Sequence, residues 1–171
     1  MRRFILIALV LAASAAARAQ QPAYGCDSPE SKQLDFWVGE WDLSYLAQGN
    51  VVKSRNRITK ILDGCVIFEE FTGPPGSPLA GRSYSTFDRP SKQWKQTWVD
   101  NTATYLDFTG AVIDGRMTFS REVQRDGLRS RQRMVFDKVT PDTLKWLWQR
   151  SDDDGKAWTT LWEIDYRRAK P

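Results

Sequence analysis

Gln93-Trp94-Lys95-Gln96-Thr97-Trp98-Val99-Asp100 reads as a strand with two indoles on one face. Residues an even number apart in a strand share a side of the sheet. Trp94, Gln96, Trp98 and Asp100 therefore point one way, and Gln93, Lys95, Thr97 and Val99 the other. Even spacing recurs at Trp146 and Trp148, and again at Trp158 and Trp162. Three segments that each aim a pair of indoles in one direction predict an antiparallel sheet wrapped around an aromatic interior.

On either side of this segment the chain alternates in the same way. Ten short strands are predicted, over residues 41–47, 51–62, 65–72, 82–88, 93–100, 104–109, 116–124, 128–138, 143–150 and 157–167. Turn residues separate them: Gly49-Asn50, Asp63-Gly64, Arg89-Pro90-Ser91, Asp114-Gly115, Asp126-Gly127, Thr140-Pro141-Asp142 and Asp154-Gly155. No connector is long enough for a crossover helix, which disfavours a parallel sheet. The longest, residues 73–81, is rich in Pro and Gly and suits a flap at a barrel mouth. Ahead of the strands, Ser28-Pro29 suits a helix start, and Gly39 ends a short helical stretch. The expected fold is all-β: a single antiparallel up-and-down barrel of about ten strands over residues 28–168, with a short N-terminal helix closing one end.

Parity then assigns an interior. It groups Ser54, Asn56 and Ile58; Met117, Phe119, Arg121 and Val123; Ser130, Gln132, Met134 and Phe136; Leu144, Trp146, Trp148 and Arg150; and Trp158, Thr160, Trp162, Ile164 and Tyr166. Segments 65–72, 82–88 and 104–109 do not declare a face. Polar groups share this interior with the indoles, and buried polar groups must find partners. Either they pair with each other and with water, or they face a cavity for an amphipathic molecule. The expected ligand-binding set is Asn56, Tyr84, Gln96, Trp98, Asp100, Gln132, Trp146, Trp148 and Arg150, with Trp94 adding a further indole.

The entry Phe36-Trp37-Val38-Gly39-Glu40-Trp41-Asp42 resembles the start of lipocalin and fatty-acid-binding (calycin) barrels. In those barrels a helical turn leads into Gly-x-Trp, and the Trp closes the base beneath an Arg from the last strand. The resemblance implies that Gly39 and Trp41 are structural, with Arg167 or its neighbour Arg168 over the indole. A wider resemblance, to the family called domain of unknown function 1579, is carried by four stretches: residues 34–42, 61–69, 94–101 and 151–158. It implies an exported barrel and brings no activity, so no catalytic residue comes with it. Ser151-x-Asp153-x-Gly155-x-x-Trp158 is similar to the Asp-box of sialidase propellers. A propeller needs one box per blade, and a single box implies a turn brace in which Trp158 packs beneath a hairpin.

Met1-Arg2-Arg3, an apolar run from Phe4 and the small-residue site Ala17-Arg18-Ala19 make a secretory signal peptide over residues 1–19, cut near Ala19. Residues 20–27 read as a flexible lead. The apolar run is too short for a stable membrane anchor. The full chain has 25 Lys+Arg and 21 Asp+Glu. Arg2, Arg3 and Arg18 leave with the signal, and the mature chain is close to neutral. The arginines from Arg121 to Arg133 read as a solvated strand face, so no nucleic-acid partner is expected. Monomer and homodimer both stay open. Two cysteines in an exported, periplasmic or secreted chain allow one intramolecular disulfide, Cys26–Cys65.

The chain has no histidine. That removes Ser–His and Cys–His catalysis, His-ligated zinc and the His-bound haem of nitrobindin-type barrels. No metal and no cofactor are expected. Acid–base work would fall to Glu69, Glu70, Asp100, Asp107, Tyr84 or Tyr105. The leading expectation is a non-enzymatic barrel binding a small amphipathic or aromatic molecule. The alternative is a small barrel isomerase, cyclase or hydrolase with Glu70 or Asp100 as base and Tyr84 as acid.

Overall fold

The computed structural model describes residues 26–170. The expected signal segment, and the lead up to residue 25, lie outside the described residues. Ten strands follow two short 3-10 turns, Glu30–Lys32 and Asp35–Trp37: β1 Gly39–Ala47, β2 Asn50–Ile61, β3 Val66–Thr72, β4 Ala80–Asp88, β5 Gln93–Asp100, β6 Tyr105–Ile113, β7 Arg116–Arg125, β8 Leu128–Asp137, β9 Thr143–Ser151 and β10 Thr159–Arg168. Each strand pairs antiparallel with its neighbours in sequence, and β1 pairs with β10, closing the barrel. This is the expected up-and-down architecture, consistent with a lipocalin/calycin-like fold. The turns contain the residues that tight hairpins demand, with Asp114, Asp126 and Asp154 at positive φ before glycine.

One end is packed shut. Trp37 and Trp41 are 2% and 1% exposed, and the Trp41 indole donates to the Trp37 carbonyl at 2.7 Å. Phe36 and Trp37 meet Phe136 edge-on. The Arg168 guanidinium lies over the Trp41 ring at 3.9 Å and donates to the carbonyls of Phe36 and Val38. The expected Arg167 does not fill this role. It faces solvent opposite Asp42, because Trp41 pairs across the closing seam with Arg168. Gly39 has φ +136°, and a Cβ there would meet the Arg168 guanidinium at 2.1 Å. The disulfide Cys26–Cys65 ties the N-terminal segment to the β2–β3 turn at this same end.

The interior follows parity in most strands. Asn56, Ile58, Trp94, Gln96, Phe119, Phe136 and Leu144 are all buried. Burying each large apolar side chain contributes about 1.5–3 kcal/mol. The three undeclared strands turn in Ile67, Glu69 and Phe71; Ser83 and Ser85; and Phe108. Parity fails at the start of β10. A register shift between Thr160 and Trp162 changes the face, leaving Trp162, Ile164 and Tyr166 inside while Trp158 and Thr160 lie outside. Trp158 packs under the Arg133 guanidinium at 3.9 Å instead of pairing with Trp162.

Gly39→Ala is expected to destabilise the barrel by roughly 1–3 kcal/mol, through strain at positive φ and displacement of Arg168; an unchanged urea midpoint would refute this. Replacing both Cys26 and Cys65 by Ser is expected to remove about 3–4 kcal/mol, read in the same denaturation experiment.

Candidate functional site

Toward the other end the interior is not filled. A cavity of about 210 Å³ lies among the side chains of β3, β5, β6, β8, β9 and β10. Its walls include Phe71, Trp98, Phe108, Trp146, Trp148 and Trp162. The spacing of these rings follows from the pleat: Trp146 and Trp148 stand on one face of β9 with planes 13° apart, and Trp162 meets Trp146 edge-on at 5.7 Å. Trp98 leans over Gly81, where a Cβ would lie 2.0 Å from the indole. The Pro-Gly connector contributes Leu79 to the lining. Asn101 holds that connector through bonds to the Ala80 amide and the Pro78 carbonyl. A cavity of about 150 Å³ can hold benzene, and drug-sized pockets begin near about 300 Å³. This one suits a single small ring system.

A polar cluster lies at its base. Glu69, 7% exposed, lines the cavity and accepts from Asn56 Nδ2 at 2.7 Å and from Ser83 Oγ at 2.6 Å. Asn56 also donates to the Tyr166 hydroxyl at 3.1 Å. Gln96, which lines the cavity nearby, donates to Ser85. The Trp37 indole nitrogen, on the lining, and Asn56 Oδ1, behind Glu69 and off the lining, are buried without a hydrogen-bond partner. Burial pushes the Glu69 carboxyl up from its ordinary value, against the opposing pull of Ser83, Asn56 and the Arg82 charge. The Tyr166 phenol is also raised, by burial first and then by Glu69.

Asp100 belongs to the opposite electrostatic class. It accepts from Trp98 Nε1 at 3.0 Å, from the Thr102 hydroxyl and amide, and from the Thr104 amide. The Thr102 hydroxyl bond is the main reason its carboxyl is held well below the usual range. The cavity thus has a carboxyl held low toward its mouth and a carboxyl pushed up at its base.

Of the expected ligand-binding residues, Gln96, Trp98, Asp100, Trp146 and Trp148 converge on the cavity, and Asn56 stands behind Glu69. Tyr84 does not: it is 49% exposed and stacks on Phe68 outside the barrel. Arg150 reaches the barrel rim and pairs with Asp152 in solvent. Gln132 pairs across the sheet with Arg121 and Arg150 near the mouth, outside the lining. Trp94 serves the floor, donating to Gln33. Among the acid–base candidates, Glu70 faces Arg82 outside, and Asp107 and Tyr105 are exposed. The expected turn brace is present: Ser151 donates to Asp153 and accepts from the Gly155 amide, Asp153 accepts from the Ala157 amide, and Trp158 donates to the Gly155 carbonyl.

Glu69, Phe71, Leu106, Phe108, Trp162 and Tyr166 are among the lining residues that the expected set omitted. Segment 65–72 is apolar on both faces, so its own periodicity could not choose. A usable signal lay across the hairpin: Ile58 faces inward, and its registered partner is Glu69. Among the described residues no group of three or more Cys, Asp or Glu converges as a metal site. A larger depression of about 1080 Å³ is lined by β1, β2, β9, β10 and the connector after β3; Arg55 pairs there with Asp42 and Lys145 with Asp165, as solvated surface ion pairs.

The raised Glu69 carboxyl makes stability depend on pH. The folded protein keeps a proton that the unfolded chain releases near its ordinary value of 4.5. That contribution is full below this value and is lost as pH rises through the folded-state value. Glu69→Gln is expected to flatten this decline, so its stability relative to the parent rises between acidic and neutral pH. Parallel stability–pH curves from chemical denaturation would refute the assignment.

No curated protein matches the chain. Residues 27–168, spanning the disulfide-tethered entry and all ten strands, match the family model described as "Protein of unknown function (DUF1579)", and the chain belongs to that family.

Proposed function

We propose that this protein is exported and binds one small amphipathic or aromatic molecule in the indole-walled cavity, without transforming it. The observation that carries the reading is the coexistence, in one cavity, of aromatic walls and a polar base that includes Glu69, Gln96 and Tyr166. Buried polar groups ordinarily find partners, so a polar base beside apolar walls favours an occupant with both kinds of surface. The ring faces supply contact area at low conformational cost. Export is supported by the leader pattern of residues 1–19 and is compatible with the disulfide. The molecule would act as monomer or homodimer, without nucleic acid or a stable membrane anchor.

One observation favours an enzyme as second reading: Glu69 is a buried carboxyl with a raised pKa beside an apolar cavity, as general acids and bases often are. The version that used Glu70 and Tyr84 does not stand, because both face outward.

In a screen of lipophiles, flavonoids and isoprenoids, at least one compound is expected to change indole fluorescence and raise the melting temperature. Trp148→Ala is expected to weaken that compound about tenfold, having removed a stacking wall. Fluorescence and melting that stay unchanged across the screen would sink the proposal.

A further inference from the structure

We infer that the cavity selects a small organic cation, an aromatic or quaternary ammonium compound, over neutral and anionic molecules of the same size; the inference rests on the binding reading above. The lining contains two acidic side chains, Glu69 and Asp100, and no lysine or arginine. Between them stand Trp98, Trp146, Trp148 and Trp162. Indole faces carry negative potential and attract cations most strongly where water is excluded. Trp98 adds to this, because its N–H donates to the Asp100 carboxylate and that bond leaves the ring more electron-rich.

The nearby positive groups do not neutralise this arrangement. Arg82 lies on the outer side of the wall, close to Glu70. Arg150 pairs with Asp152. Arg121, on the inner face of β7, holds its guanidinium carbon 5.7 Å from the Phe108 ring with Nε and Nη1 buried and unpartnered, and does not itself line the cavity. An anion would meet Asp100 at the mouth and Glu69 at the base. A neutral hydrocarbon would gain the aromatic walls and leave the polar base dry. A cation satisfies both, and its charge favours the ionised form of Glu69 that burial opposes. The groups facing Glu69 are Asn56 of β2, Ser83 of β4 and Tyr166 of β10, all uncharged; the charge that acts on it is Arg82, across the wall. A bound cation therefore lowers the Glu69 pKa, and affinity rises with pH across the range in which Glu69 titrates.

Three probes with the same aromatic ring test the charge preference: benzyltrimethylammonium, its carbon isostere neopentylbenzene, and phenylacetate. Binding is read by indole fluorescence and calorimetry on the full mature chain. The ammonium compound is expected to bind about tenfold or more tightly than the isostere, with phenylacetate weakest. Asp100→Asn and Glu69→Gln are each expected to reduce that ratio; melting curves confirm that both variants fold. If the isostere binds as well as the cation, the charge preference falls and the small-aromatic reading stands. If none of the three binds while a larger compound from the screen does, the cation assignment falls alone. If nothing binds at all, both fall.

Discussion

Closure of the sheet on itself is the constraint from which the other features follow. Once β1 pairs with β10, with Trp41 opposite Arg168 and Leu43 opposite Tyr166, no sheet edge remains and every strand must send alternate side chains into one shared space. Ten strands enclose more space than aliphatic side chains of ordinary size can fill. Indoles and phenyl rings occupy much of it, and glycines at positions 81 and 110 give two of those rings, Trp98 and Phe119, room to lie against the wall. The seam itself is locked by one side chain: Arg168 covers Trp41 and gathers the carbonyls of the entry turn.

The two ends of the barrel divide the work. The end near residues 26–41 is dry, densely aromatic and stapled by a disulfide, with Trp37, Trp41, Phe119 and Phe136 each at most 2% exposed. The other end leaves its aromatic rings partly uncovered around a cavity, beneath a connector held in place by Asn101. A rigid base of this kind lets the open half hold side chains that do little for stability. Glu69 is the clearest case. A carboxyl in that position opposes folding when ionised, and its hydrogen bonds to Asn56 and Ser83 only partly offset the desolvation. An apolar residue of similar volume would pack there without that penalty. An acid, an amide and a phenol lie together at the bottom of an aromatic pocket instead.

Much of the fold was legible before any coordinates. Period-two alternation, seven turn signals and the Gly39-x-Trp41 entry were enough for ten strands, their order and the closed end, because backbone geometry imposes the pleat locally. Strand ends moved by a few residues at most, as with β6, which runs on to Ile113. The candidate site was only half legible. Gln96, Trp98, Asp100, Trp146 and Trp148 lie on strands with one polar and one apolar face, where parity is informative. Glu69 and Phe108 lie on strands whose periodicity is mixed, and Tyr84 was placed inside for the same reason.

The sequence by itself determined the antiparallel meander, the aromatic character of its interior, the single possible disulfide and the absence of histidine chemistry. Only the tertiary structure decided which carboxyl is buried, which arginine covers Trp41 and where Trp158 points. Each of those depends on register between strands. One shifted pair, between Thr160 and Trp162, moves an indole from the lumen to the surface without changing the local pattern of the chain.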